Sequence, residues 1–276
     1  MTDSPNADGA KQREPMFFVP LVIVVLVAAL LGIHAVLTQL GDPAYNAAIR
    51  DLAFVPGRLT IWIWPDRLGA LISRANADLS ALEQARALRY FNAPAGGVWT
   101  LLTYALLHGS WSHVLLNSIW LIAFGPPIAR RFGWFRFLAF FALTAVAGAL
   151  AHWAVDPMDS SPLIGASAAD SGLMAAVARF MFQPGAPLGD PQDFSRPAIE
   201  AGDERPAPRL RELLRQRRAV IFILIWMALN FVFGVSAQAI GASPAPVAWI
   251  AHVGGFVAGL LAFPLFDRPW RRRQAP

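Results

Sequence analysis

Apolar residues along the chain form six long runs, and polar segments separate them. The runs are Phe17 to Leu37, Trp99 to Phe124, Trp134 to Val155, Leu163 to Phe182, Ala219 to Ile240, and Val247 to Phe266. About 20 apolar residues in a helix suffice to cross the hydrocarbon core of a bilayer, so each run predicts a membrane-spanning helix. The expected fold class is an all-α polytopic membrane protein with six transmembrane helices.

Composition agrees with a membrane protein. Hydrophobic residues make up 56% of the chain and charged residues 15%, whereas a soluble domain has roughly 45–50% and 25%. The chain has no cysteine, which excludes disulfides and thiolate chemistry. It also lacks the H-E-x-x-H pattern of zinc metalloproteases. We therefore expect neither a cofactor nor a metal ion.

The basic residues predict how the chain is oriented in the membrane. The net charge is +5, and arginines follow the second, fourth and sixth runs, whereas the connections between the third and fourth and between the fifth and sixth runs have no Lys or Arg. The positive-inside rule then places both termini in the cytoplasm. Because the arginines follow topology, a nucleic acid partner is not expected. We expect a multi-pass protein of the cell membrane, in a bacterial inner membrane.

One membrane domain, residues 16–268, accounts for most of the chain. A polar N-terminus, residues 1–15, is expected to be disordered, and residues 269–276 form a basic tail. The first apolar run is longer than a signal-peptide core, so we expect it to be retained as a span. The domain includes a long outer loop, residues 41–98, and a cytoplasmic loop, residues 184–217. The outer loop is too long to lack structure, and a helix is expected near residues 78–90.

Polar residues inside three of the runs predict a reactive site, because such groups are costly in lipid. The second run has His108, His113 and Asn117, the fourth begins with Gly165-Ala166-Ser167, and the sixth has His252. These three spans have the same orientation. Ser167 and His252 would each lie roughly 6–8 Å below the outer end of their helices at about 1.5 Å per residue. The polar groups therefore converge on the outer half of the bilayer.

These residue types suit acyl transfer. Serine is a weak nucleophile that needs a base, which His252 can supply to Ser167. His113, Asn117 and the Ser167 amide can stabilise an oxyanion. No acid occurs in the second or sixth span, so a Ser-His dyad is expected. His108 cannot share a helical face with His113, and we expect it at the start of that helix as a supporting group.

The motifs resemble those of the rhomboid family of intramembrane serine proteases. The second-span motif is His108-x4-His113-x3-Asn117, the last-span motif includes His252-Val253-Gly254-Gly255-Phe256-x2-Gly259, and Gly165-Ala166-Ser167 matches the start of the Gly-x-Ser-Gly motif. The resemblance implies a nucleophilic serine, a histidine base and the same oxyanion donors. It also implies substrates that are single-span transmembrane proteins cut near the outer face.

Two positions depart from the family pattern. Ala168 replaces the glycine after the serine, and its methyl group is expected to tighten the site or shift the serine turn. Ser171 replaces a frequent aromatic residue, and we expect its hydroxyl to hydrogen-bond His252 instead of stacking on it. Asp170 is expected to interact with the helix dipole rather than to act as a catalytic acid.

The alternative function is a rhomboid-like protein that binds transmembrane helices without cutting them. A proton-coupled transporter is disfavoured by the lack of paired intramembrane acids.

Overall fold

A computed structural model describes residues 19–75, 97–183, 207–236 and 248–267. In chain order the α-helices are α1 (Leu21–Leu40), α2 (Asp42–Leu52), α3 (Pro56–Ile63), α4 (Leu68–Ala75), α5 (Thr100–Thr103), α6 (Trp111–Phe132), α7 (Trp134–Val155), α8 (Ser167–Ala178), α9 (Leu210–Leu213), α10 (Arg217–Ser236) and α11 (Trp249–Phe266). Short 3-10 turns occur at Pro65–Arg67 and Tyr104–Leu106. The expected all-α architecture is confirmed. The predictions for residues 1–15, 78–90 and 269–276, and for most of 184–217, lie outside the described residues.

Membrane-spanning length is met by four helices within the described ranges. These are α1, α6, α7 and α11, each long and apolar enough to cross a bilayer. Helix α8, which begins at Ser167, has only 12 residues, whereas the apolar α10 has 20. The expectation of six spans therefore stays a prediction.

The second span begins later than its apolar run predicts. The run starts at Trp99, but the structure places α5 and a 3-10 turn there and begins α6 at Trp111. Ser110 determines this start, since its Oγ accepts the backbone N–H of His113 at 3.2 Å as an N-cap. The predicted start of the second span is wrong because the apolar run also includes the segment before α6, which is not continuous with that helix.

Helix α8 lies at the centre of the bundle, against α6, α7 and α11. Eleven of its 12 residues are buried. Glycines allow this close approach: a Cβ at Gly255 would collide with the carbonyl oxygen of Ala168, and one at Gly259 would collide with that of Gly172. Small residues at a helix interface thus allow the close approach that is typical of membrane helix pairs.

The segment between α1 and α6 packs on the connection that leads into α8. Phe54 and Leu163 exchange backbone hydrogen bonds of 3.2 and 2.7 Å in an isolated antiparallel bridge. The Thr60 hydroxyl donates to the carbonyl of Pro157 at 2.5 Å and accepts from the Trp153 indole at 2.9 Å. These bonds fix the path of the backbone shortly before Ser167.

A hydrogen bond joins the end of α7 to the same connection. His152 Nε2 lies 3.0 Å from Asp159 Oδ2. Burial raises the pKa of the Asp159 carboxyl, but hydrogen bonds from His152 and from Ser161 outweigh burial and hold that pKa below its ordinary value. His152, which is not one of the motif histidines, therefore stabilises the connection between α7 and α8.

Candidate active site

Ser167 and His252 lie within hydrogen-bond distance of each other. Ser167 Oγ is 2.7 Å from His252 Nε2. Ser167 is the first residue of α8, and His252 lies in the first turn of α11, so the two helix N-termini meet at the same end of the bundle. A serine hydroxyl this close to an imidazole nitrogen can donate its proton to that nitrogen as it attacks.

A glycine turn presents Ser167 to the site. Gly165 has φ +113°, a conformation that side-chain-bearing residues rarely adopt. Its N–H donates to the carbonyl of Tyr104 at 3.0 Å. The buried Tyr104 hydroxyl in turn donates to the carbonyl of Ala145 on α7 at 2.8 Å. Tyr104 therefore links the turn to α7 before α8 begins.

His113 and Asn117 lie against this turn. A Cβ at Gly165 would be 2.6 Å from His113 Nε2 and 3.4 Å from Asn117 Nδ2. Gly109 N–H approaches His113 Nδ1 in a long contact of 3.5 Å, which favours a hydrogen on Nε2. Two side-chain N–H groups therefore face the backbone beside Ser167. The Ser167 amide adds a third donor, because the first N–H groups of a helix have no intrahelical acceptor.

His108 holds Asn117 in place. It lies in the loop before α6, as expected, and its side chain is buried. Asn117 Nδ2 donates to His108 Nε2 at 3.0 Å. The backbone carbonyl of His108 accepts from the Tyr45 hydroxyl at 3.2 Å. The Asn117 amide has a second hydrogen, which this bond leaves for another acceptor.

Asn230 on α10 is a site residue that the sequence analysis missed. Its Oδ1 lies 2.7 Å from His252 Nδ1, the ring nitrogen that does not face Ser167. Its Nδ2 donates to the carbonyl of Trp249 at 3.1 Å. A signal was available in the sequence, because an amide inside the apolar run from Ala219 to Ile240 is costly in lipid and marks a site by default.

Ser171 does not contact His252 as expected. Its Oγ donates instead to the carbonyl of Ser167 at 2.7 Å, one turn back along α8. A serine inside a helix has this acceptor within easy reach whatever surrounds it. The expectation that Ser171 hydrogen-bonds His252 is therefore wrong, and the residue that makes such a bond is Asn230.

The other departure from the family pattern leaves the site geometry intact. The buried methyl group of Ala168 packs towards α7, where a Cβ at Gly148 would lie 2.6 Å from it. The methyl is thus accommodated by a glycine on the neighbouring helix. The distance between Ser167 and His252 stays that of a hydrogen bond.

Asp170 does not complete a triad. It is 2% exposed, and neither carboxylate oxygen has a hydrogen-bond partner in the described parts of the chain. His252 Nδ1, which a triad acid would bind, is engaged by Asn230. Within the same described ranges, no three His, Asp or Glu side chains come together as a metal ion requires.

Comparisons with known proteins agree with these motifs. A family model described as the Rhomboid domain matches residues 95–191 and 205–268, more than half of the chain. The chain is 36% identical over 78 residues to "Putative rhomboid protease YdcA" of Bacillus subtilis (strain 168), covering 28% of this chain and 39% of that protein. It is 30% identical over 82 residues to "RHOMBOID-like protein 5" of Arabidopsis thaliana, covering 30% of this chain and 26% of that protein. The matched part is thus well under half of each relative.

Proposed function

The chain belongs to the rhomboid family, and we propose that it is a serine endopeptidase that hydrolyses peptide bonds of transmembrane proteins within the membrane. The observation that carries the proposal is the 2.7 Å contact between Ser167 Oγ and His252 Nε2. This contact lies beside the His113 and Asn117 donors at the Gly165 turn. Nucleophile, base and oxyanion donors are the parts that acyl transfer requires.

The first half of the reaction forms an acyl-enzyme. Ser167 Oγ attacks the scissile carbonyl carbon while its proton passes to His252 Nε2. The carbonyl oxygen becomes an oxyanion, which His113 Nε2–H, Asn117 Nδ2–H and the Ser167 amide stabilise. The C–N bond then breaks as His252 gives its proton to the leaving amine. The new N-terminus departs, and the ester on Ser167 remains.

The second half restores the enzyme. Water attacks the ester carbon and gives a proton to His252 Nε2, and the same donors stabilise the second oxyanion. The C–Oγ bond breaks, Ser167 takes back the proton from His252, and the carboxylic acid product leaves.

The proposed substrates are single-span membrane proteins cut near the outer face of the membrane. A peptide bond is open to attack only where the backbone is extended, because a helix shields its carbonyl groups within its own hydrogen bonds. A suitable substrate therefore has a segment near the membrane surface whose helix unwinds easily. Water must reach Ser167 from the same side.

Labelling and cleavage together test this function. A biotinylated fluorophosphonate added to the purified protein in liposomes should modify Ser167, identified by peptide mass spectrometry. In the same liposomes, the protein should cleave a co-reconstituted single-span substrate whose helix includes glycine near the outer face. Substrate capture without labelling or cleavage would instead support a protein that binds transmembrane helices.

Asn117→Ala is expected to lower kcat by about 10–1000-fold, since one oxyanion donor contributes about 1.4–4 kcal/mol. Fluorophosphonate labelling of Ser167 should persist, because nucleophile and base are intact. The matched control is Ser118→Ala on the same helix, whose hydroxyl donates to the Val114 carbonyl of that helix. Wild-type turnover in Asn117→Ala would reduce Asn117 to a packing residue.

Both termini are expected in the cytoplasm. Reporter fusions after Arg273 and within residues 184–208 should give the signal of an inside location, and fusions near Asn76 that of an outside location. The reason is the excess of arginine in the segments after the second, fourth and sixth apolar runs. An outside signal after Arg273 would place the site in the cytoplasmic half of the membrane and contradict the proposed cleavage position.

A further inference from the structure

We propose that Asn230 is a positioning residue that holds His252 in the tautomer able to accept the proton of Ser167. The inference rests on the proposed function and extends the expected dyad by a third group from a third helix, α10. Its basis is a continuous chain of hydrogen bonds. This chain runs from the Trp249 carbonyl through Asn230 and His252 to Ser167.

The Trp249 carbonyl determines which way the Asn230 amide faces. A carbonyl oxygen can only accept, so the amide must turn its NH2 group towards it, at 3.1 Å. The amide oxygen of Asn230 then points the other way, towards His252 Nδ1 at 2.7 Å. Asn230 is buried, so water does not compete freely for either bond.

The amide oxygen in turn determines the tautomer of His252. An oxygen that can only accept requires a hydrogen on Nδ1. In the neutral ring the second nitrogen, Nε2, then has a lone pair, and this is the nitrogen that lies 2.7 Å from Ser167 Oγ. The Ser167 hydroxyl therefore donates to Nε2, as a general base requires.

The opposite tautomer would be inactive. With its hydrogen on Nε2, His252 would present a donor to Ser167 and could not take its proton. When the imidazolium forms during reaction, Asn230 Oδ1 continues to accept from Nδ1–H, so the ring keeps its orientation through both proton transfers. In a serine triad a buried carboxylate orients the histidine in this way. Here a neutral amide does so, and it has no charge to desolvate.

Asn230→Leu, which keeps the size of the side chain, should lower kcat by about 10- to 100-fold with KM changed by less than about threefold. The fall should be smaller than the roughly 10⁴-fold loss known when an orienting group enforces the wrong tautomer, because leucine leaves both tautomers accessible. The matched control is Trp226→Leu. Trp226 also joins α10 to α11, by stacking on Phe256 with ring centroids 4.3 Å apart, but it does not bond His252. The kcat of Trp226→Leu should stay within about threefold of the wild-type value.

The tautomer is measured directly by 15N NMR of histidine-labelled protein in nanodiscs. The chain has five histidines, and the spectrum of His252→Gln assigns the His252 signals. Wild type and Trp226→Leu should show a protonated Nδ1 and an unprotonated Nε2. Asn230→Leu should show mixed protonation at both nitrogens. Asn230→Asp, which retains the acceptor oxygen, should restore the Nδ1–H tautomer and at least about tenfold of the kcat lost in Asn230→Leu.

An unchanged Nδ1–H signal in Asn230→Leu would overturn the inference, and so would an equal fall of kcat in Trp226→Leu. The NMR result does not depend on turnover. If wild type fails to cleave any substrate, the proposed function fails, while the tautomers of wild type and Asn230→Leu still decide the role of Asn230.

Discussion

Alanine at Ser167 or at His252 is expected to lower kcat by at least about 10⁴-fold, because neither nucleophile nor base functions without its partner. The double variant should be no worse than either single variant, since the two residues act as one unit. The measurement is cleavage of a reconstituted single-span substrate under single-turnover conditions. Thermal unfolding of Ser167→Ala should change little, because this variant loses one hydrogen bond between α8 and α11, worth about 0.6–2 kcal/mol. His252→Ala also loses the hydrogen bond to Asn230 and should be the less stable of the two.

Additivity would contradict this prediction. Suppose that the fold decrease in kcat of the double variant equalled the product of the two single-variant decreases. Ser167 and His252 would then act in separate steps rather than in one proton transfer. Substantial cleavage by Ser167→Ala would exclude this serine as the nucleophile. Fluorophosphonate labelling gives an independent check, since it should disappear in both single variants.

Gly255→Ala is expected to destabilise the protein by about 2–3 kcal/mol and to lower kcat as well. The added Cβ would collide with the carbonyl oxygen of Ala168, which is backbone and cannot move aside as a flexible side chain can. Relief requires α8 and α11 to separate. That separation would lengthen the contact between Ser167 and His252. Unfolding in mixed detergent micelles and turnover of the same samples measure the two effects.

Gly32→Ala on α1 is the matched control, because among the described residues a Cβ at that position would meet no atom within 4 Å beyond its own stretch of helix. It should leave both unfolding and turnover unchanged, or stabilise slightly through the better helix propensity of alanine. Gly259→Ala should destabilise as Gly255→Ala does, since its Cβ would meet the carbonyl oxygen of Gly172. Equal stability of Gly255→Ala and Gly32→Ala would show that α8 and α11 are not in close contact.

The proximity of Ser167 and His252 could be predicted from the sequence because polar groups in lipid-spanning runs are few and costly. Three such groups on spans of one predicted orientation leave little choice of partners. The small residues around Gly255 likewise predict close helix contact from sequence alone. In each case the reasoning depends on residue type and period, which a single sequence displays.

Other features of the site depend on which residues become neighbours in three dimensions. For these features the sequence led to no prediction or to a wrong one. Asn230 stands out in the sequence as an amide inside an apolar run, but its contact with His252 depends on the packing of α10 beside α11. The family pattern favours a contact between Ser171 and His252, but the Ser167 carbonyl in its own helix accepts the Ser171 hydroxyl instead. The start of α6 was misplaced because the cap at Ser110 interrupts a run that is apolar on both sides.

The short, enclosed α8 has a consequence for hydrophobic mismatch between protein and lipid. Its 12 residues span about 18 Å at 1.5 Å per residue, against a hydrocarbon core of about 30 Å. Since nearly every α8 side chain is covered by protein, a change in bilayer thickness acts on α1 and the other peripheral helices, which tilt or deform the lipid around them. The depth of Ser167 is then set by contacts inside the bundle, whereas a lone substrate helix must follow the lipid. Thinner and thicker membranes should therefore slide a substrate past a fixed nucleophile and shift the peptide bond that is cut.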